Sequence, residues 1–117
     1  MAKRRCISVD VFDSDIYLDL SNDAKALYTS LILHSDDEGV VINHQTVMRL
    51  LGSKPEDVEE LTKAGFLIKI GEVYIIRHWY VHNKVQPSRM VESLYKTELS
   101  ALELTQTKEY RLAENSS

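Results

Sequence analysis

A chain of 117 residues, 44% apolar and 27% charged with a net charge of −4, has the make-up of one globular domain, large enough for its own core but not for two. Its longest apolar runs are about four residues against the ~20 of a membrane span, and MAKRRCISVD has no apolar stretch behind its basic residues, so neither a spanning helix nor a secretory signal is expected. Cys6 stands alone, which excludes an internal disulfide and any zinc site of several thiolates; a reduced, cytoplasmic setting is the expectation.

Residues 1–20 read as an N-terminal arm. Ile7, Val9, Val11, Phe12, Ile16 and Leu18 alternate loosely, as in an extended approach that turns around Asp13-Ser14-Asp15. Ser21 then caps a helix in which Ala24, Leu27, Tyr28, Leu31 and Ile32 recur at three- and four-residue steps, ending near His34. Ser35 to Gly39 is turn chemistry, and Val40-Val41-Ile42 forms a short strand placed to pair beside a later hairpin. Residues 43–52 make a second helix with Val47, Leu50 and Leu51 on one face and a stop at Gly52. Residues 53–65 make a third. Ser53 with Glu56 gives a reciprocal capping box, Pro55 sits in the first turn where its missing N–H costs little, and Gly65 closes the helix.

FLIKI and VYIIRHW flank Gly71-Glu72, a two-residue connection whose leading glycine suits a type II′ turn. Phe66 and Trp79, at the two ends of this hairpin, are expected in the core. Past Trp79, YVHNKVQPS contains Pro87 and no clear period, and reads as a loop packing back on the domain. Leu94, Tyr95, Leu99 and Leu102 then predict a helix over about 90–104, and the polar last dozen residues are expected to fray. The fold class is therefore α+β and mainly helical: a winged helix-turn-helix with a small antiparallel sheet and a C-terminal helix. Residues 1–20 form the arm, 21–82 the winged domain, 83–110 an extension packed on it, and 111–117 a flexible tail.

Charge is segregated. Lys3, Arg4 and Arg5 stand without an acid in residues 1–9; five aspartates stand without a base in 10–23; Arg77, Lys84 and Arg89, with His78 and His82, stand without an acid in 73–91. The third helix, which in a DNA-reading module enters the major groove, carries Lys54 and Lys63 against Glu56, Asp57, Glu59 and Glu60, so on sequence it is a poor recognition helix. Sequence-tolerant contact with DNA phosphates is accordingly expected from Lys3, Arg4 and Arg5 on a flexible arm and from Arg77, Lys84 and Arg89 behind the hairpin. Ser53 and Lys54 at the third helix's N-terminal edge and Lys69 near the wing tip complete the set. Tyr74 and Tyr80 are candidates for base stacking, though no dense interleaving with arginine accompanies them.

Nothing points to catalysis. Gly39, Gly52, Gly65 and Gly71 are isolated turn glycines rather than a phosphate cradle, and no nucleophile, base and acid share a motif. Asp36, Asp37 and Glu38 lack the alternating spacing of a calcium loop. His78 and His82 are spaced like a metal pair but lie at a strand end with no third ligand near in sequence; His78 is expected to bond a loop carbonyl. No metal, cofactor or enzymatic activity is expected.

LSNDAKALYTSLILHSDDEGVV at 20–41, RLLG at 49–52 and IIRHWYVHN at 75–83 together resemble the N-terminal domain of phage replisome organisers related to the primosomal DnaD proteins. That family shows a helix of "alYthLilrsDdeG" flavour before a strand, an "L-G" helix pair, and a hairpin ending in I-x-x-W-x-x-H-N. The resemblance spans roughly residues 4–110. It implies a winged-helix domain of phage or prophage origin that helps initiate DNA replication by binding origin DNA or by oligomerising, while a separate C-terminal domain engages helicase-loading proteins of the host. Members commonly carry a basic stretch after the H-N; here KVQPSRM keeps only Lys84 and Arg89. The expected partners are thus DNA, further copies of the chain and host replication proteins. The alternatives are a protein-interaction module that does not touch DNA and a transcriptional regulator of the same fold.

Overall fold

The computed structural model describes residues 4–84 and 90–113. Two short helices, α1 (Val9–Phe12) and α2 (Asp15–Leu18), precede the long α3 (Asn22–Leu33). Then come α4 (His44–Leu51), α5 (Pro55–Lys63), the hairpin β1 (Leu67–Ile70) and β2 (Val73–Ile76), and the single turn α6 (Trp79–His82). A turn α7 (Lys96–Leu99) and a second hairpin, β3 (Leu102–Leu104) with β4 (Tyr110–Leu112), complete the described chain. The protein is thus a small α+β fold with two antiparallel sheets. No helix among the described residues is long and apolar enough to cross a membrane.

α3 forms as its pattern requires. Ser21 Oγ accepts the Ala24 N–H at 3.1 Å, and Ala24, Leu27, Tyr28, Leu31 and Ile32 are all fully buried. Each large side chain on that face contributes roughly 1.5–3 kcal/mol of burial. Glu60 of α5 grips the same cap, accepting the Ser21 N–H at 2.7 Å and its hydroxyl at 2.8 Å, so α5 is tied to the start of α3.

α4 begins where Asn43 Oδ1 accepts the Thr46 N–H and ends at Gly52, whose φ of +66° is the left-handed cap. Its buried face stops short. Val47 is buried and Met48 half-buried, but Leu50 is 70% exposed and Leu51 exposed as well. The last turn leads into the Gly52 reversal and projects beyond the core, so the expected apolar stripe is not realised there. α5 starts one residue later than its capping motif predicts. Lys54 is the N-cap and its N–H is accepted by Asp57 Oδ2 at 3.0 Å, in place of the expected Ser53 and Glu56 pair.

Hairpin register follows from the two-residue turn: Ile70 faces Val73 and Lys69 faces Tyr74. Gly71 has φ +58° while Glu72 does not share it, as a II′ turn requires. Residues 39–41 add to the far side of β2, with Ile76 N–H donating to Gly39 O at 2.8 Å and Val41 N–H to Tyr74 O at 2.9 Å. The expected third strand exists there as isolated bridges, and β2 is central.

Three stretches differ from their sequence reading. The N-terminal approach folds into α1 and α2 rather than extending. Ser14 Oγ donates to Val11 O and accepts the Tyr17 N–H, and the buried residues are Val11, Tyr17 and Leu20, while Ile7, Val9, Ile16 and Leu18 face out. The helix expected over 90–104 shrinks to α7, since Val91 and Leu94 find no core and the chain turns into β3. The described part of the expected frayed end holds β4, whose Tyr110 is buried, donating its N–H to Arg77 O at 2.9 Å and its hydroxyl to Glu38 O at 2.7 Å; residues 114–117 of the expected tail lie outside the described residues. Phe66 and Trp79 are core residues as expected.

Under α1 and α2 lies an aromatic cluster of Phe12, Tyr17, Tyr28 and Phe66, with His82 at its edge. His82 Nδ1 accepts the Ser8 N–H at 2.8 Å, and Nε2 lies 2.8 Å from Tyr28 Oη. Both contacts are met by the neutral ring protonated on Nε2. Burial, then the neighbouring His78, lowers the His82 pKa to about 4. Because the unfolded chain takes up this proton near pH 6.5, the imidazole's contribution is complete above that value and is lost as pH falls toward 4. Unfolding free energy from urea titration is expected to drop by at least about 1 kcal/mol between pH 7.5 and 5.5, with the drop smaller by about that amount in His82→Phe, the remainder coming from His44 and His78. A stability flat over that range in the unsubstituted chain would contradict a buried neutral imidazole.

Candidate nucleic-acid interface

The cations named from sequence fall into distinct groups. Lys3 and Arg89 lie outside the described residues. Arg5 does not belong to a free arm: its side chain is only 4% exposed, and its Nη2 lies 2.9 Å from both Asp37 Oδ1 and Ser35 O. The guanidinium also sits over the Trp79 ring, 5.0 Å from its centroid. The chain that follows is held too, by Cys6 N–H to Asn83 Oδ1 and Ser8 N–H to His82 Nδ1, both 2.8 Å. Burial alone raises the Asp37 carboxyl, but the Val91 N–H and the Arg5 guanidinium outweigh it and hold the pKa below the ordinary carboxylate value. Arg5 is therefore a structural cation, and the flexible arm of the sequence reading is corrected for residues 4–8.

Arg77 is half-exposed and pairs with Glu109 at 3.3 Å; the same carboxylate oxygen lies 3.3 Å from His78 Nε2. His78 thus meets an acid from the second hairpin rather than a loop carbonyl, a partner nothing in the local sequence announces. Burial lowers the His78 pKa, against the pull of Glu109. Among the described residues Arg4, Lys54, Lys69 and Lys84 are exposed and carry no ion pair. Ser53 is half-buried, its N–H spent on Met48 O at 2.9 Å.

The acids of α5 are sorted as well. Asp57 is buried on its own helix cap and Glu60 is committed to Ser21, so only Glu56 and Glu59 stand exposed, opposite Lys54 and Lys63. The excess of negative charge counted from sequence is absorbed by the fold.

These elements bring together a set of side chains of which sequence reasoning singled out only Tyr74. His44, Gln45 and Met48 of α4, Pro55 and Glu59 of α5, and Tyr74 of β2 line a cleft of about 270 Å³. His44 meets the Tyr74 ring edge-on at 4.8 Å between centroids, and Lys69 Nζ lies over the same Tyr74 ring at 5.8 Å from its centroid. Burial, then Lys69, keeps the His44 pKa below its usual value. The two-residue turn is the signal that finds part of this set, because it places Lys69 opposite Tyr74. His44 and Met48 could not be found that way, since they reach the cleft through the packing of α4. The cleft offers an aromatic face, amide and imidazole groups and the Glu59 carboxylate, with the Lys69 ammonium over the Tyr74 ring and Lys54 at the adjoining start of α5.

Comparison with protein-family models, curated proteins and solved structures returned no match for this chain.

The assignment of Arg5 to the fold has a direct check. Arg5→Met leaves the Asp37 carboxylate buried and short of its main partner, and is expected to cost about 3 kcal/mol in urea unfolding. Arg4→Ala, on the exposed neighbour, is expected to change stability by less than about 0.5 kcal/mol. Equal effects of the two would return Arg5 to the surface set.

Proposed function

We propose that the chain is a winged helix-turn-helix domain of the phage-type replication-initiation class, acting through sequence-tolerant contact with DNA combined with self-association. The observation that carries this reading is the order of the sheet. Residues 39–41, β2 and β1 lie side by side with β2 central, while α3 packs on the α4–α5 pair that precedes the hairpin. That arrangement supports the winged-helix reading, and the start of α5, the start of α4 and Tyr74 of the hairpin line one cleft.

DNA would be met there, by Lys54 and Lys69 beside the Tyr74 cleft, with Arg4 and Lys84 as outlying cations. Few free cations mean modest affinity and a shallow salt dependence. Self-association has its own support in the exposed apolar groups, Leu50 and Leu51 at the end of α4 and Val9, Ile16 and Leu18 on α1 and α2.

A second reading, a protein-interaction module that does not touch DNA, is favoured by one observation: Arg5 and Arg77, two of the strongest sequence candidates, are both committed to carboxylates. Fluorescence anisotropy of labelled duplex DNA across a salt series separates the two. Binding that weakens with salt is expected, and Lys54→Ala with Lys69→Ala should lower the slope of log K against log salt by about 2. No binding even at low salt would leave the protein-only reading.

A further inference from the structure

Unpaired charge and exposed apolar side chains coincide at two places on this chain, with opposite sign. The first is the surface of α1 and α2. Val9, Ile16 and Leu18 are each more than half exposed there. Asp10, Asp13, Asp15 and Asp19 stand exposed among them, and among the described residues none forms an ion pair. The sequence holds no lysine or arginine from residue 6 to residue 24, and Lys25 lies over the Tyr17 ring, 5.7 Å from its centroid. A cleft of about 360 Å³ opens beside this surface, lined by Ile16 and the half-buried Ala64 and Val81, with the buried Phe66 also touching it. Arg77, His78 and Glu109 line it too and pair with one another, which leaves Asp10 as the unpaired charge of its lining.

The second place is the corner between α4 and α5. Leu50 and Leu51 are exposed on the last turn of α4. A Cβ at Gly52 would meet nothing within 4 Å, so the reversal that follows them stands clear of the described fold. Arg49 and Lys54 flank the two leucines along the chain, exposed and again without an ion pair among the described residues. No aspartate or glutamate occurs from residue 39 to residue 55.

We propose that the α4–α5 corner of one copy docks on the α1–α2 face of another. Leu50 and Leu51 enter the cleft beside Ile16, while Arg49 and Lys54 meet the free aspartates. The inference rests on the self-association part of the function proposed above and names the two surfaces that carry it. Charge decides between the possible pairings. Either surface set against itself brings unpaired groups of one sign together, four carboxylates or two cations, and like charges across an interface repel. Face against corner removes both repulsions and takes apolar surface on each side out of water. The same carboxylates repel a phosphate backbone, so DNA does not compete for the α1–α2 face.

Sedimentation velocity of the full chain without DNA, over a concentration series, tests the pairing with two double variants at exposed positions. Ile16→Ser with Leu18→Ser alters the face, and Leu50→Ser with Leu51→Ser alters the corner. Circular dichroism checks that each folds. Each variant alone is expected to associate at least about tenfold more weakly than the unsubstituted chain. Mixed one to one they should associate again, because one keeps an intact corner and the other an intact face. Rising salt should weaken association of the unsubstituted chain. Asp13→Asn with Asp19→Asn, which leaves the apolar contacts in place, should flatten that dependence. Lys54 also belongs to the proposed DNA side, and none of these substitutions touches it. Failure of mixing to restore association, association that survives both double variants, or a salt dependence unchanged by the asparagines would overturn this pairing and leave self-association standing. A monomer at every concentration would overturn both.

Discussion

The fold depends on one contact, the indole of Trp79 laid against the turn at Asp36–Gly39. Trp79 is fully buried and its Nε1–H donates to Asp37 O at 2.9 Å. Gly39 has φ +90°, and a Cβ there would stand 2.6 Å from Trp79 Cγ, so a side chain is excluded both by backbone conformation and by space. The turn is acidic because each acid holds a different piece of chain. Asp36 closes the turn on the Glu38 and Val40 N–H groups, Asp37 takes Arg5 and the Val91 N–H, and Glu38 takes the Ser93 N–H. Tyr110 closes the ring on Glu38 O. Three remote segments, the N-terminus, the stretch after residue 90 and the second hairpin, are thereby clipped to one loop.

That arrangement decides which charges are free to act. Arg5 lies inside the clip, Arg77 lies under Glu109, and two of the four α5 carboxylates are spent on helix caps. What remains on the α4–α5–hairpin side is a near-neutral surface with lysines at its edges and an aromatic cleft at its centre. A surface of that kind suits weak electrostatic contact better than a strongly basic recognition helix does, and leaves room for protein contacts on the same domain.

Much of the central domain was legible in the sequence because its signals are local. Ser21, Gly52, Pro55, Gly65 and Gly71 each fix a cap or turn within a few residues, and the element order from α3 to β2 follows. The misread stretches depend on distant partners. Residues 9–18 alternate as if extended, yet Phe12 and Tyr17 pack against Tyr28, and Tyr17 against Phe66, which lie in other elements. Residues 105–112 look polar, yet Tyr110 finds Arg77 and Glu38. The candidate site divides along the same line. Lys54 and Lys69 are placed by a cap and a two-residue turn, whereas the burial of Arg5 depends on an aspartate 32 positions away, as their numbers show. No periodicity carries that information.

The proposed nucleic-acid face is the α4–α5–hairpin cleft and not the N-terminal segment. Backbone amide shifts of the isotope-labelled protein, followed by NMR during titration with a short DNA duplex, test it most directly. The account expects the shifts to concentrate at His44–Met48, Lys54–Glu59 and Lys69–Tyr74. Shifts confined to residues 4–8 and 77–84, with the cleft silent, would contradict it.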